Sequence, residues 1–547
     1  MAVKKSLKSL ILTDSAGKAR TLKKFLGQSY TVLSTDGFLK DLPKSRIGID
    51  EDYSPDYITV RGKGTLLASL KKETLNARRI FLATNPDLRG EFLARQYCEI
   101  FGVNPNSNCR IYFDEVTRDA IKNSLDKARP IDDKLADAFQ TKQIIDKFVS
   151  HKIGEYLSFK IYRGVKVGRF RAMLLKLIEN FQHVDEFKLD GQFTFAQLQM
   201  LAAQKLNFSA IKTRLLAEQL FDGINFEKDG YGGLITYPYG EIKLTADKRQ
   251  PADVKNYLND SQFKLYELIY SRSSEEKISA QSQCTELSLM MTLENFGVNW
   301  SDVYAMGVAS LIKRKYITAE NSALKMTELG RRVLTAVDEF FSEDFSVNSY
   351  KKISAQVDEV ANGHAEKNSV IENYCTQFNK NFDKAIDELG DDAKPQDEPE
   401  VYSEEVCDKC GRQMLVKHGR YGFFLACSGY PECKNIKPIV NYLDQKCPKC
   451  GKRLTKREFG RGRKLCRCEN HPTCDFQTWD EPQNTPCKVC GTTMFVHRFK
   501  NGASMFYCGN ENCSSRVNHP INKIIDDAKK RSESRKKSNQ GSEVSDQ

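Results

Sequence analysis

One spacing of cysteines occurs three times towards the C-terminal end, and nothing else in the sequence restricts the fold as tightly. Cys407 and Cys410 are followed by Cys427 and Cys433, Cys447 and Cys450 by Cys468 and Cys474, and Cys487 and Cys490 by Cys508 and Cys513. Each unit opens with CxxCG, continues for the length of a β-hairpin and closes with a second cysteine pair. Four thiolates so spaced can surround one tetrahedral zinc and tie two turns together. Only Cys98, Cys109, Cys284 and Cys375 lie before residue 400, and clustering of this kind is read as metal ligation ahead of disulfides. Three zinc ribbons are expected, over 406–440, 441–481 and 482–524, each folded by its zinc because so small a unit buries little core. Cys466 is left over, and the spacing leaves open whether it or Cys468 ligates the second zinc.

The rest of the 547 residues is long enough for further domains with their own cores. LKSLILTDS reads as a short strand entering a turn and GKARTLKKFLG as a helix; RRIFLAT is a second strand, broken by NPDLRGE and followed by the helical EFLARQYCEIF. Alternating strands and helices predict a parallel α/β sheet whose ligands bind beyond the carboxyl ends of its strands, where Asp14 and the NPDLRGE turn would lie. Residues 133–188 and 253–388 have helical spacing, while 192–240, with QFTFAQLQM and GYGGLITYPYG, reads as more β-like. The acidic, Pro-bearing 390–405 reads as a solvated linker and 525–547 as a disordered polar tail. No apolar run is long enough to cross a membrane, and the N-terminus turns polar too soon for a signal peptide. A cytoplasmic protein is expected. A net charge of +12 favours a polyanionic partner, since neutralising phosphates releases counterions. Arg and Lys interleaved with Phe and Tyr in the ribbons suit stacking on single-stranded bases.

LILTDSAGKARTLKKFLG with DGFLKDLPKS, then ATNPDLRGE, YFDEVTRDAI, TKQIIDKFVSHKIGEYL, VKVGRFRAMLLKLI and GGLITYPYG, resembles in order the bacterial type IA DNA topoisomerases, the topoisomerase I family. The resemblance continues through LYELIYSR, TELSLMMTLENFGVNWSDVYA and MTELGRRVL to the ribbons. It implies a multidomain α/β and mainly α architecture: a Toprim-like parallel-sheet domain (1–130), a mainly helical clamp with β segments (131–389) that looks shortened, and the C-terminal ribbons. It implies binding of single-stranded DNA in a bacterial, nucleoid-associated setting. Tyr237 would attack a phosphodiester to give a 5′-phosphotyrosyl link, helped by Lys18, while Arg169 in VGRF, with Arg171 and Lys166 beside it, would contact DNA.

The family's metal site gathers an acid after the first strand and three from a DxDxE turn. Here those positions hold Asp14, Asn85, Asp87 and Arg89, with Glu91 nearby. A fixed guanidinium beside a divalent cation costs several kcal/mol even at an effective dielectric of ~20. Magnesium binding, and relaxation that depends on it, are therefore expected to be weakened or lost. The family's arginine after the tyrosine is Tyr239 here, and NWSDVYA puts Trp300 and Ser301 where the family has a basic residue and a proline. Two readings of Arg89 stand side by side: a clamp for the scissile phosphate acting with Tyr237 and Lys18, or a salt-bridge partner of Asp87. Tyr237 is correspondingly a nucleophile or a packed strand residue, which would make the chain a DNA-binding pseudoenzyme. A third expectation is a protein-interaction factor whose ribbons bind RNA polymerase.

Overall fold

Leu10, Ile11 and Leu12 are fully buried because their strand, Ser9–Thr13, is the centre of a sheet. In the computed structural model it lies between two parallel strands, Tyr30–Ser34 and Ile80–Leu82, with Ile11 opposite Val32 on one side and Phe81 on the other. Being parallel, all three strands end at one edge, and the first and third deliver Asp14 and the 83–91 turn there, as the sequence predicts. The structure describes residues 8–522 except 190, 228–229, 273–275, 391–392, 398–399, 401, 420–421, 440, 460–462, 499–503 and 518. The tail expected over 525–547 lies outside the described residues. The chain divides into two compact units, Met1–Glu398 and Pro399–Gln547.

In the first unit, helix Ala16–Leu26 follows the central strand and Leu88–Phe101 follows the third. The 28-residue helix Asp133–Lys160, capped by Asp132, runs beyond them, and Val347–Asn362 and Lys367–Asp387 pack along it. One apolar cluster extends from Ile11 and Phe81 of the sheet to Leu289, Val333 and Phe378 of the helical part. Two expectations change here. QFTFAQLQM alternates like a strand, yet Phe195–Leu206 is a helix, with Thr194 accepting the Gln197 amide as its cap and Phe195 through Ala202 all buried. A segment hidden on every side has no polar face to advertise its period. Between it and the tyrosine segment come the helix Ala210–Asp222 and, as the only strands among the described residues, the two-residue Ile224–Asn225 and Tyr231–Gly232. The expected solvated linker is in part pinned: the Gln396 amide donates to Ser158 O and its carbonyl accepts from Arg163 N, both at 2.8 Å.

In the second unit each cysteine repeat forms its own antiparallel sheet: Tyr402–Val406, Gln413–Gly419, Gly422–Cys427 and Ile436–Pro438; Asn441–Lys446, Arg453–Phe459, Arg463–Cys468 and Gln477–Thr478; Glu481–Pro486, Thr493–Arg498 and Ser504–Cys508. The second and third ribbons are less self-contained than expected. Leu454, Phe495, Tyr507 and Ile521 form one apolar cluster that spans both. No described helix is long and apolar enough to cross a membrane.

Candidate functional site

The turn after the third strand is tight because helix Leu88–Phe101 begins almost on top of it. A Cβ at Gly90 would lie 2.0 Å from the Asn85 carbonyl oxygen, so only glycine fits there. Asp87 caps this helix, its Oδ1 accepting the Gly90 amide at 2.5 Å. Across the sheet edge, Lys18 is fully buried and its ammonium donates to Asp14 at 2.9 Å and to the Asn85 side-chain oxygen. Burial alone would raise the Asp14 carboxyl, but Lys18 and Arg89 outweigh it and hold it below the usual carboxylate range. Arg89 is half-buried, its guanidinium 5.1 Å from the centre of the Phe38 ring. Among the described residues it has no hydrogen bond or ion pair, so of its two readings the Asp87 salt bridge is not formed.

Glu91 departs from the expected group of residual acids. Its carboxylate accepts from Arg110 Nε at 2.9 Å, from both terminal nitrogens of Arg129 at 3.1 Å and from the Asp132 amide at 2.8 Å. It is 1% exposed, so these bonds satisfy a charge that burial would otherwise penalise. Arg110, equally buried, also donates to the carbonyls of Leu82, Thr84, Asn85 and Ile111. This pair is a brace for the turn rather than part of the cleft.

The tyrosine segment meets the sheet edge directly. The Tyr237 amide donates to Asp114 O at 2.6 Å and the Gly233 amide to Val116 O at 2.9 Å. The Tyr237 ring packs against Phe221 and Tyr239, and its hydroxyl donates to Asp87 Oδ2. Burial first, then the Asp87 charge, push its phenol far above the ordinary value. Tyr239 donates to Glu218 at 2.8 Å, and the same carboxylate oxygen accepts from Arg214 Nε at 3.0 Å. Arg214 and Glu218 enter the site from a helix that no quoted motif marks, and Lys142 and Asp146 from within the TKQIIDKFVSHKIGEYL segment, where the sequence does not single them out. A further tie joins the two parts: Ser15, the cap of helix Ala16–Leu26, donates to Asp222, and Thr21 donates to Asp222 O at 2.8 Å.

Asp87, Arg89, Arg214, Glu218, Tyr237 and Tyr239 border a cleft of about 750 Å³, whose lining does not include Asp14 or Lys18. Its cations are Arg89, Lys142, Arg169, Arg171 and Arg214, against the four carboxylates of Asp87, Asp146, Glu218 and Asp302. Arg169 pairs with Asp146 at 2.7 Å while its Nη1 is buried with no hydrogen-bond partner among the described residues, as is Arg171 Nε. Lys166 is not in the lining; its amide donates to Tyr316 and its side chain lies against Gly154. Trp300 is fully buried and donates to Glu294 at 2.9 Å, which makes it a core residue.

The three cysteine sets fit zinc. In each, the four Sγ atoms lie within 4.8 Å of one another, and the closest pairs are 3.2–3.4 Å apart, Cys410 with Cys427, Cys450 with Cys468 and Cys490 with Cys508. A tetrahedron with Zn–S of ~2.3 Å has edges of this order. The first knuckle closes through Cys407 N to Arg412 O and Gly411 N to Cys407 O, and the same two bonds recur at Cys447 and Cys487. Gly411, Gly451 and Gly491 each adopt a φ of 71–74°, where a side chain would be strained. Amides also point at sulfur, Gly429 N to Cys427 at 3.3 Å and Asn470 N to Cys468 at 3.4 Å. Cys468 belongs to the second set and Cys466 does not, which answers the question left by the spacing.

Comparison with known proteins places these parts in context. The Toprim domain model matches residues 9–116. The model described as a topoisomerase DNA binding C4 zinc finger matches 404–442 and 444–483. Among solved structures, full-length topoisomerase I from Thermotoga maritima is similar, with a TM-score of 0.61 and 22% identity over 79% of this chain and 97% of that one.

Proposed function

We propose, for a chain that its Toprim domain, its C4 zinc ribbons and its topoisomerase I fold make a member of the type IA topoisomerase family, that it binds single-stranded DNA and breaks and rejoins one strand through Tyr237 without magnesium. The carrying observation is Arg89, a guanidinium with no hydrogen bond or ion pair among the described residues, which lines the same cleft as Tyr237. The donor set does not suit magnesium, which seeks carboxylate oxygens with room for water. Asp14 is ion-paired to Lys18, Asn85 is neutral, Asp87 already accepts two hydrogen bonds, and Arg89 adds positive charge.

In this reading the phenolic oxygen bonds to phosphorus, the P–O3′ bond breaks, and the freed 3′-hydroxyl later reverses the step. Arg89 faces the charge that grows on the phosphate oxygens, which a preorganised cation stabilises in a site screened from water. Arg169 and Arg171, with buried nitrogens unpaired among the described residues, extend the positive wall, and exposed Tyr430 and Tyr442 on the ribbons offer aromatic surface for bases. A DNA-binding chain that no longer cleaves is the second reading, favoured by Tyr237 being only 6% exposed. Ribbons that bind RNA polymerase form a third, distinguished by binding that resists salt, whereas DNA binding weakens steeply as salt rises.

The test is to mix the full chain with end-labelled single-stranded DNA, with and without EDTA, and quench with denaturant. A covalent adduct that survives EDTA, is absent in Tyr237→Phe and falls about 10²–10³-fold in Arg89→Ala is expected. Binding with no adduct in any condition overturns cleavage in favour of the second reading.

A further inference from the structure

The geometry points to Asp87 as the catalytic residue that takes the tyrosyl proton when Tyr237 attacks, a task different from the metal ligation its position in the turn suggests. This inference rests on the cleavage reading above. The two carboxylate oxygens of Asp87 have separate partners: Oδ1 is fixed by the Gly90 amide and Oδ2 receives the Tyr237 hydroxyl. The first bond holds the second oxygen on the reacting atom, as base catalysis requires before any question of proton affinity arises. As the cap of helix Leu88–Phe101, Asp87 also sits at the positive end of a helix dipole.

No other described group is placed for the task. The Lys18 ammonium is committed to Asp14 and Asn85, Glu218 to Tyr239 and Arg214, and Asp222 to Ser15. No histidine lines the cleft. The charged and titratable groups around Asp87 are Arg89 on its own helix, Asp14 and Lys18 from the sheet edge, and Tyr237 and Tyr239 from the tyrosine segment. The buried phenol does not ionise ahead of the reaction; its proton moves as the oxygen becomes bonded to phosphorus. In that step Oη–P forms, P–O3′ breaks and the proton passes to Asp87 Oδ2. Water protonates the departing 3′-oxygen, and the hydroxide left behind removes the proton from Asp87. Religation runs the same path backwards.

The experiment measures adduct formation by the full chain on a single-stranded oligonucleotide in EDTA, for wild type, Asp87→Asn and Asp87→Glu, across a range of pH. Asn is isosteric and caps a helix nearly as well, so Asp87→Asn keeps the local fold. It is expected to form adduct about 10²–10⁴-fold more slowly at saturating oligonucleotide. Its rate should climb about tenfold per pH unit as hydroxide replaces the base, while wild type stays flat; Asp87→Glu should regain part of the rate and the flat profile. Asp87→Asn within about threefold of wild type, or slower with an unmoved pH profile, overturns the inference and leaves the cleavage reading standing. Absence of adduct from wild type overturns both.

Discussion

Replacing Glu91 by Gln removes one charge from a pocket that contains two guanidiniums. The shape is nearly unchanged, so the effect isolates electrostatics. Glu91 and Arg110 are both fully buried, and the carboxylate accepts four hydrogen bonds at 2.8–3.1 Å. A glutamine side chain could accept at one oxygen only, and its amide hydrogens would face the arginines. Breaking a buried pair from one side costs about 3–5 kcal/mol, because the remaining charge stays buried without compensation. With an unfolding entropy of about 2.1 cal/mol/K per residue over the unit Met1–Glu398, that loss lowers the midpoint by roughly 4–6 °C. Scanning calorimetry of the full chain at neutral pH reads it directly.

The pH dependence gives an independent check. Burial works against the Glu91 charge, but Arg110, the Asp132 amide and Arg129 prevail and hold its pKa below the ordinary value. A carboxylate depressed in the folded state stabilises fully above its unfolded pKa of about 4.3, and that contribution disappears as pH falls through the folded value. Wild type should therefore lose its advantage over Glu91→Gln on acidification, and the two melting curves should converge. A neutral-pH difference below about 1 °C, or one that persists unchanged in acid, would refute the brace.

Two other outcomes follow from particular contacts. Gly90→Ala should cost about 1–3 kcal/mol and speed amide exchange across 85–89, because its methyl would meet the Asn85 backbone at 2.0 Å; unaltered exchange would contradict the packing described. Cys468→Ser should reduce zinc from three equivalents to two by elemental analysis, whereas Cys466→Ser should leave three, since only Cys468 joins a four-sulfur set; the reverse result would reassign the ligand.

Local features of the chain were the easiest to read. The cysteine repeats, the apolar SLILT strand and the paired turns at its carboxyl edge each announce themselves within a few residues, and the structure has them as expected. What the sequence concealed was pairing over distance. Asp87 meets Tyr237 across 150 positions and Ser15 meets Asp222 across 207, and no periodicity encodes such encounters. Arg214 and Glu218 look like an ordinary i,i+4 pair on an amphipathic helix, and only the fold puts Tyr239 beside them. Glu91 misled for a related reason: its place next to DLRG suggested the metal address, yet in a helix it projects away from the turn towards Arg110. Phe195–Leu206 is a helix with a strand-like sequence because burial on all sides erases the pattern that distinguishes the two.

The double attachment of Tyr237, by its main chain to Asp114 and by its hydroxyl to Asp87, has a mechanical meaning. Were these two faces to part, Tyr237 would lose both anchors in the same movement and pass from a dry niche into water. A broken DNA strand tethered to that oxygen would be carried away from Asp87, the residue to which it must return before the backbone can be resealed. Under the cleavage reading proposed above, such a separation would disarm resealing and renewed docking would restore it.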